Sequence, residues 1–79
     1  MAKLSLLKAK INQRVKVVEI LGGSAVGHRM LSMGIYPGRE IIKFGHIALR
    51  GPVTLKVGRS YFALGHSMAA KIMVETDEK

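Results

Sequence analysis

Cysteine and tryptophan are missing from the chain, proline occurs twice, and two tyrosines and two phenylalanines are its only aromatics. Without cysteine there is neither a disulfide framework nor a thiolate metal site, which fits a reducing compartment. Carboxylates are scarce as well. Glu19 and Glu40 are the only ones ahead of the C-terminal run Glu75-Thr76-Asp77-Glu78-Lys79. Acid–base catalysis needs a positioned titratable pair in a pocket. These two sit at strand positions among basic residues and read as solvated surface charges, so the expectation is a protein that is not an enzyme. Long apolar runs are missing too. The richest stretch, Tyr61 to Val74, is broken by Gly65, His66, Ser67 and Lys71, and a membrane helix needs roughly 20 apolar residues. No charged-then-apolar leader pattern is expected, because Lys8 and Lys10 interrupt the N-terminal apolar residues. Together these point to a cytoplasmic protein without membrane insertion.

What is present is basic and apolar at once. The 79 residues form a single domain, residues 1–79, with a net charge of +8 and 48% apolar residues. A chain of this size buries only about 60% of the surface its unfolded form exposes. So much apolar content predicts an exposed patch, and such patches tend to be docking sites. The five methionines suit an adaptable contact surface, though some must fill core gaps. The charge favours acidic partners, whether nucleic acid, anionic lipid or an acidic protein surface.

The organising stretch is Gly22 to Gly38, GGSAVGHRMLSMGIYPG. Ser24 reads as the N-cap of a short helix. Val26, Met30 and Met33 share one helical face, and Gly34 stands where a left-handed residue closes a helix. Pro37-Gly38 then marks a turn. Ahead of this insert, Leu4, Leu7 and Ile11 share a helical face, with Ser5 able to cap a helical turn. Arg14 to Leu21 reads as a strand whose imperfect alternation calls for a bulge. After the insert, Arg39 to Ile47 is a strand with Ile42 and Phe44 on one side and Ile41 and Lys43 on the other. Ala48 to Gly51 is a loop. Pro52 to Leu64 is a hairpin with a Gly58-Arg59 turn, pairing Val57 with Ser60, Leu55 with Phe62 and Val53 with Leu64. Ser67 starts a single helical turn, and Lys71 to Glu75 is a last strand with Ile72 and Val74 inward. The sum is mainly β: a small closed or half-closed barrel of about five strands, with one inserted helix and one or two short helical turns.

Candidate ligands are few. His28, His46 and His66 are the soft metal ligands, and none stands at ligand spacing from another. No metal and no cofactor are therefore expected. Gly22-Gly23 lacks the accompanying residues of a phosphate-binding loop. Of the four aromatics, Tyr36, Phe44, Tyr61 and Phe62, two are expected to be buried, which leaves little for base stacking.

HRMLSMGIYPGREI resembles the central stretch of the FeoA family, small proteins of ferrous iron transport. Arg29, Leu31, Met33, Gly34, Ile35, Pro37, Gly38 and Ile42 sit at the matching places. Gly51-Pro52-Val53 with Leu55 and Val57 is similar to a family strand. Phe62-Ala63-Leu64 with Ser67, Ala69 and Ile72 is similar to its ending, and Leu4 to Leu7 to its opening. Ala9-Lys10, Gly65 and Met68 depart from the pattern in turn and surface positions. The resemblance implies an SH3-like β-barrel with a helix after the first long strand. It also implies an accessory role on the cytoplasmic region of the membrane transporter FeoB, with no catalytic residues.

The contact surface expected on this reading is the cleft between the helix (Met30, Met33, Ile35) and the Leu49-Arg50 loop, with Arg29 and Arg50 attracting an acidic partner. Self-association into a homo-oligomer is left open. The alternatives are a basic SH3-like nucleic-acid-binding module, resting on the +8 charge, and a metal-responsive regulator domain. A gel shift read across a salt series separates the nucleic-acid alternative, because phosphate-driven affinity falls steeply with salt. The expected outcome is no shift at moderate salt.

Overall fold

The computed structural model describes residues 2–46 and 51–76. Extended stretches, four of them rich in β-branched residues, build six strands: β1 (Ala2–Ser5), β2 (Arg14–Ile20), β3 (Glu40–His46), β4 (Val53–Val57), β5 (Ser60–Leu64) and β6 (Ile72–Thr76). Helix α1 (Gly23–Ser32) follows β2, and the four-residue α2 (His66–Ala69) precedes β6. The strands form one antiparallel sheet in the order β1-β6-β2-β3-β4-β5. The hydrogen bonding does not join β1 to β5 among the described residues, so the barrel stays half-closed. Its interior is lined by Leu6, Val15, Val17, Ile41, Val53, Leu55, Ile72 and Val74, with Met30 and Ile35 closing one side.

The hairpin follows the register its sequence predicts, with Val57 opposite Ser60, Leu55 opposite Phe62 and Val53 opposite Leu64. The bulge expected in β2 falls between Val17 and Glu19 in its pairing with β6. It lets Val15 and Val17 point inward while Glu19 reaches Lys3 at 2.9 Å on the surface. The N-terminal segment differs from expectation. Leu4, Leu7 and Ile11 do not share a helix: Leu4 pairs with Val74 in β1, and Ile11 is 47% exposed. An isolated helix of this length is unstable, whereas pairing with β6 gives one side of the strand's backbone its partners. Ser5 does cap a turn, its hydroxyl accepting from the Leu7 N–H at 3.2 Å at the start of the 3-10 turn Leu6–Lys8.

Helix α1 begins one residue before Ser24, with Gly22 as N-cap and no side-chain cap bond, so Ser24 is not the cap. Its C-terminus is a Schellman motif. The Ile35 N–H donates to the Met30 carbonyl at 2.9 Å and the Gly34 N–H to the Leu31 carbonyl at 2.8 Å, with Gly34 at φ +82°. That motif brings together the side chains three positions inside the helix end and two beyond it. Here these are Met30 and Ile35, both 0% exposed. The following turn ties the insert to the sheet: the Gly38 N–H donates to the Val17 carbonyl at 2.7 Å, and the Val17 N–H to that of Arg39 at 2.8 Å.

Lys43 is the one cation among the described residues that the core takes in. It is 2% exposed, and its ammonium donates to the carbonyls of Leu7 at 2.8 Å and Ala9 at 3.1 Å. The lysine thus straps the 3-10 turn under β3, and the Asn12 N–H donates back to the Lys43 carbonyl at 2.6 Å. Both acceptors are neutral, so desolvation by burial lowers the Lys43 pKa below its ordinary 10.5.

Two outcomes are expected. Between the lowered folded pKa and 10.5 the unfolded chain binds more protons at Lys43 than the folded one, so this residue adds stability as pH rises through that window. Urea denaturation across that range should show a steeper rise for the wild type than for Lys43→Met. At neutral pH the variant should lose about 1–3 kcal/mol, because two buried carbonyls lose their donor. Met30→Ala should cost about 2–5 kcal/mol by the same measurement, and Leu31→Ala, 55% exposed on the same helix, about 0.5 kcal/mol or less.

Candidate functional site

The parity of β3 decides what the molecule shows to solvent. Ile41 and Lys43 turn inward, so Ile42 and Phe44 turn outward. The registers then align Arg14, Ile42, Lys56 and Tyr61 in a row across β2, β3, β4 and β5. Phe44 sits beside that row in a second bulge, where the pairing of β3 with β4 shifts between Lys43 and Gly45. Bulges re-aim side chains, and here the ring of Phe44 lies 5.2 Å from that of Tyr61, tilted by 41°. Gly45 opposes Thr54 where a Cβ would stand 3.0 Å from the Thr54 hydroxyl oxygen, so the close approach favours glycine. Phe44 is 42% exposed and Tyr61 59% exposed, although they touch each other.

Cations frame this aromatic pair. The Lys56 ammonium lies 5.7 Å from the centre of the Tyr61 ring. A second cation–aromatic contact stands near the hairpin turn, where the Arg39 guanidinium is 5.8 Å from the Tyr36 ring. It also packs against Gly58, whose φ of +61° favours glycine at this turn. Such contacts hold long basic side chains in place at a cost in entropy that exposed ion pairs rarely repay. The carboxylate on this face, Glu40, stands 3.8 Å from Arg14. Between them lies a shallow depression of about 190 Å³ lined by Arg14, Glu40, Ile41, Ile42, Lys56 and Gly58. The arrangement can hold an apolar side chain against the rings and a carboxylate against Lys56. Among the described residues no three His, Asp or Glu side chains gather where they could hold a metal ion.

The expected contact residues on and just after α1 differ in exposure. Met30 and Ile35 are withdrawn from direct contact, because the Schellman motif drives both into the core. Met33 is half-buried against that core and Arg29 is exposed on α1. Leu49 and Arg50 lie outside the described residues, as does most of their loop. The aromatic expectation also changes: Tyr36, Phe44 and Tyr61 are exposed and Phe62 is half-buried, so none of the four is fully buried. The aromatic pair escaped sequence reasoning because the inward side of β3 was undecided. The glycine inside that strand was the available signal, since such a glycine often marks a bulge.

Known structures share this architecture. The chain is similar to a crystal structure of the iron uptake regulatory protein FeoA, with 31% identity and a TM-score of 0.84, covering 95% of this chain and 97% of that one. An NMR structure of a FeoA-like protein from Clostridium acetobutylicum is 29% identical, with a TM-score of 0.83 over 100% of this chain and 92% of that one. The fold also occurs in ScaR crystallised with bound Zn2+, where 91% of this chain covers 36% of that one at 21% identity and a TM-score of 0.81. No curated protein matches significantly. The FeoA domain pattern matches residues 4–76. With that pattern spanning nearly the whole SH3-like sheet and its inserted helix, the chain belongs to the FeoA domain family.

Proposed function

We propose that the protein is a cytoplasmic, non-catalytic accessory of ferrous iron transport that docks on the cytoplasmic region of a FeoB-type membrane transporter. The observation that carries this reading is the uncovered Phe44–Tyr61 pair with Lys56 beside it, in a chain of the FeoA family. Exposed aromatics are costly to leave in water and are enriched at the centres of protein interfaces, where a few residues supply most of the binding energy. The surrounding cations and the net charge of +8 would draw an acidic surface and speed encounter. No helix of the described residues is long and apolar enough to cross a membrane, so contact with the transporter would be made from outside the bilayer. Arg29, exposed on α1, and the half-buried Met33 that follows the helix are available to extend the contact beyond the sheet face.

The test is affinity for the transporter's purified cytoplasmic region, measured by calorimetry. Phe44→Ala with Tyr61→Ala should weaken it by about 2 kcal/mol or more, a thirtyfold loss. The fold should persist, because both side chains lie outside the core. Equal affinity of wild type and double variant would reject this face.

A further inference from the structure

The two edges of the sheet are protected unequally. Edge strands expose unpaired N–H and C=O groups, and proteins usually guard them with lysine, proline or a bulge. β1 is short and carries Lys3, held by Glu19. β5, with the sequence SYFAL, carries no charge and no proline, and its register with β4 runs unbroken. In a two-residue hairpin the residues flanking the turn exchange both backbone bonds, and the bonded pairs then alternate. Val57–Ser60, Leu55–Phe62 and Val53–Leu64 are therefore the bonded pairs. The peptide groups of Tyr61 and Ala63 point away from β4, toward the open edge. Among the described residues no backbone bond other than the β4 pairing reaches β5.

The side chains around that edge specify an occupant. On the outer face the Lys56 ammonium, on the neighbouring β4, stands 5.7 Å from the ring of Tyr61 in this edge strand, and Arg59 is exposed at the turn. On the inner face Phe62 is only half-buried, packed at the margin of the core. A strand laid along β5 would place alternate residues on these two faces. Those facing outward meet a cation, and those facing inward meet Phe62. A second copy of this chain would bring another +8 charge and a β5 without a carboxylate. Nucleic acid cannot supply the alternating N–H and C=O groups the edge requires.

We infer that the β5 edge is a strand-addition site for an extended acidic segment that alternates apolar residues with Glu or Asp. The inference rests on the docking reading only for the origin of that segment, the transporter's cytoplasmic region. Strand addition takes affinity from the main chain and specificity from alternate side chains, so both can be tested separately.

The probe is a capped ten-residue peptide of alternating Val and Glu, with a Val/Lys counterpart, titrated into the full chain and followed by NMR. Binding of the Val/Glu peptide should slow amide exchange at Tyr61 and Ala63 at least tenfold and leave Phe62 unchanged. The Val/Lys peptide should bind at least tenfold more weakly. Ala63→Pro removes one outward N–H without touching the β4 ladder, and edge strands tolerate proline at such positions. It should lower affinity at least tenfold, and Lys56→Met, which leaves the backbone intact, about fivefold. Unchanged exchange at Tyr61 and Ala63, equal binding of both peptides, peptide-free dimerisation through β5, or preferential binding of oligouridine would each overturn the inference. If Ala63→Pro binds the transporter region as wild type does, the edge is refuted while docking stands. If wild type takes the peptide but not the transporter region, the edge stands and the docking reading falls.

Discussion

The two-residue alternation of β3 from Ile41 to Phe44 is the constraint on which the exposed chemistry depends. Ile41 belongs to the core and Lys43 follows it inward, held by two carbonyls of the N-terminal turn. Once Lys43 is inside, Phe44 must be outside, and the bulge at this point adds the tilt that carries its ring to Tyr61. A buried lysine is a costly way to fix a strand's parity, since desolvation works against its charge. The cost is offset by satisfying acceptors that a short 3-10 turn cannot satisfy by itself. One side chain thus closes the bottom of the sheet and sets which aromatics face water.

The same logic separates what the sequence made legible from what it hid. The hairpin was readable to the residue because strict alternation and turn chemistry are both local. So was the inward pair Ile72 and Val74 of β6. Gly34 was readable as a helix stop, and the Schellman geometry it imposes could also have placed Met30 and Ile35 in the core. Treating these two as surface residues overlooked that link. β1 was hidden for a different reason. Leu4, Leu7 and Ile11 are spaced like a helix face, and the partner that overrides this spacing is Val74, at the far end of the chain. Lys43 carries no local sign of burial, because a lysine in a strand reads as a solvent-facing residue until the whole sheet is assembled.

The α1 insert illustrates how a small domain divides its residues. Its inner side, Met30 with Val26 and Met33, completes the core, and its outer side leaves Arg29 and Leu31 in water. The excess apolar content that suggested a greasy helix cleft is distributed: much of it fills the sheet, and among the described residues the aromatic pair of β3 and β5 is an exposed cluster on the outer face. Composition could reveal that surplus but not its location.

β1 and β6 meet in antiparallel register, with Ala2 opposite Thr76. The polypeptide therefore enters and leaves this sheet at neighbouring points, as a cassette does. Such a unit can be spliced between or after other modules without opening its interior. The recurrence of the fold as about a third of ScaR is what that adjacency allows. Swapping cassettes between hosts would then transfer the outer face intact, leaving each host free to tune it by changing side chains on β3 and β5 alone.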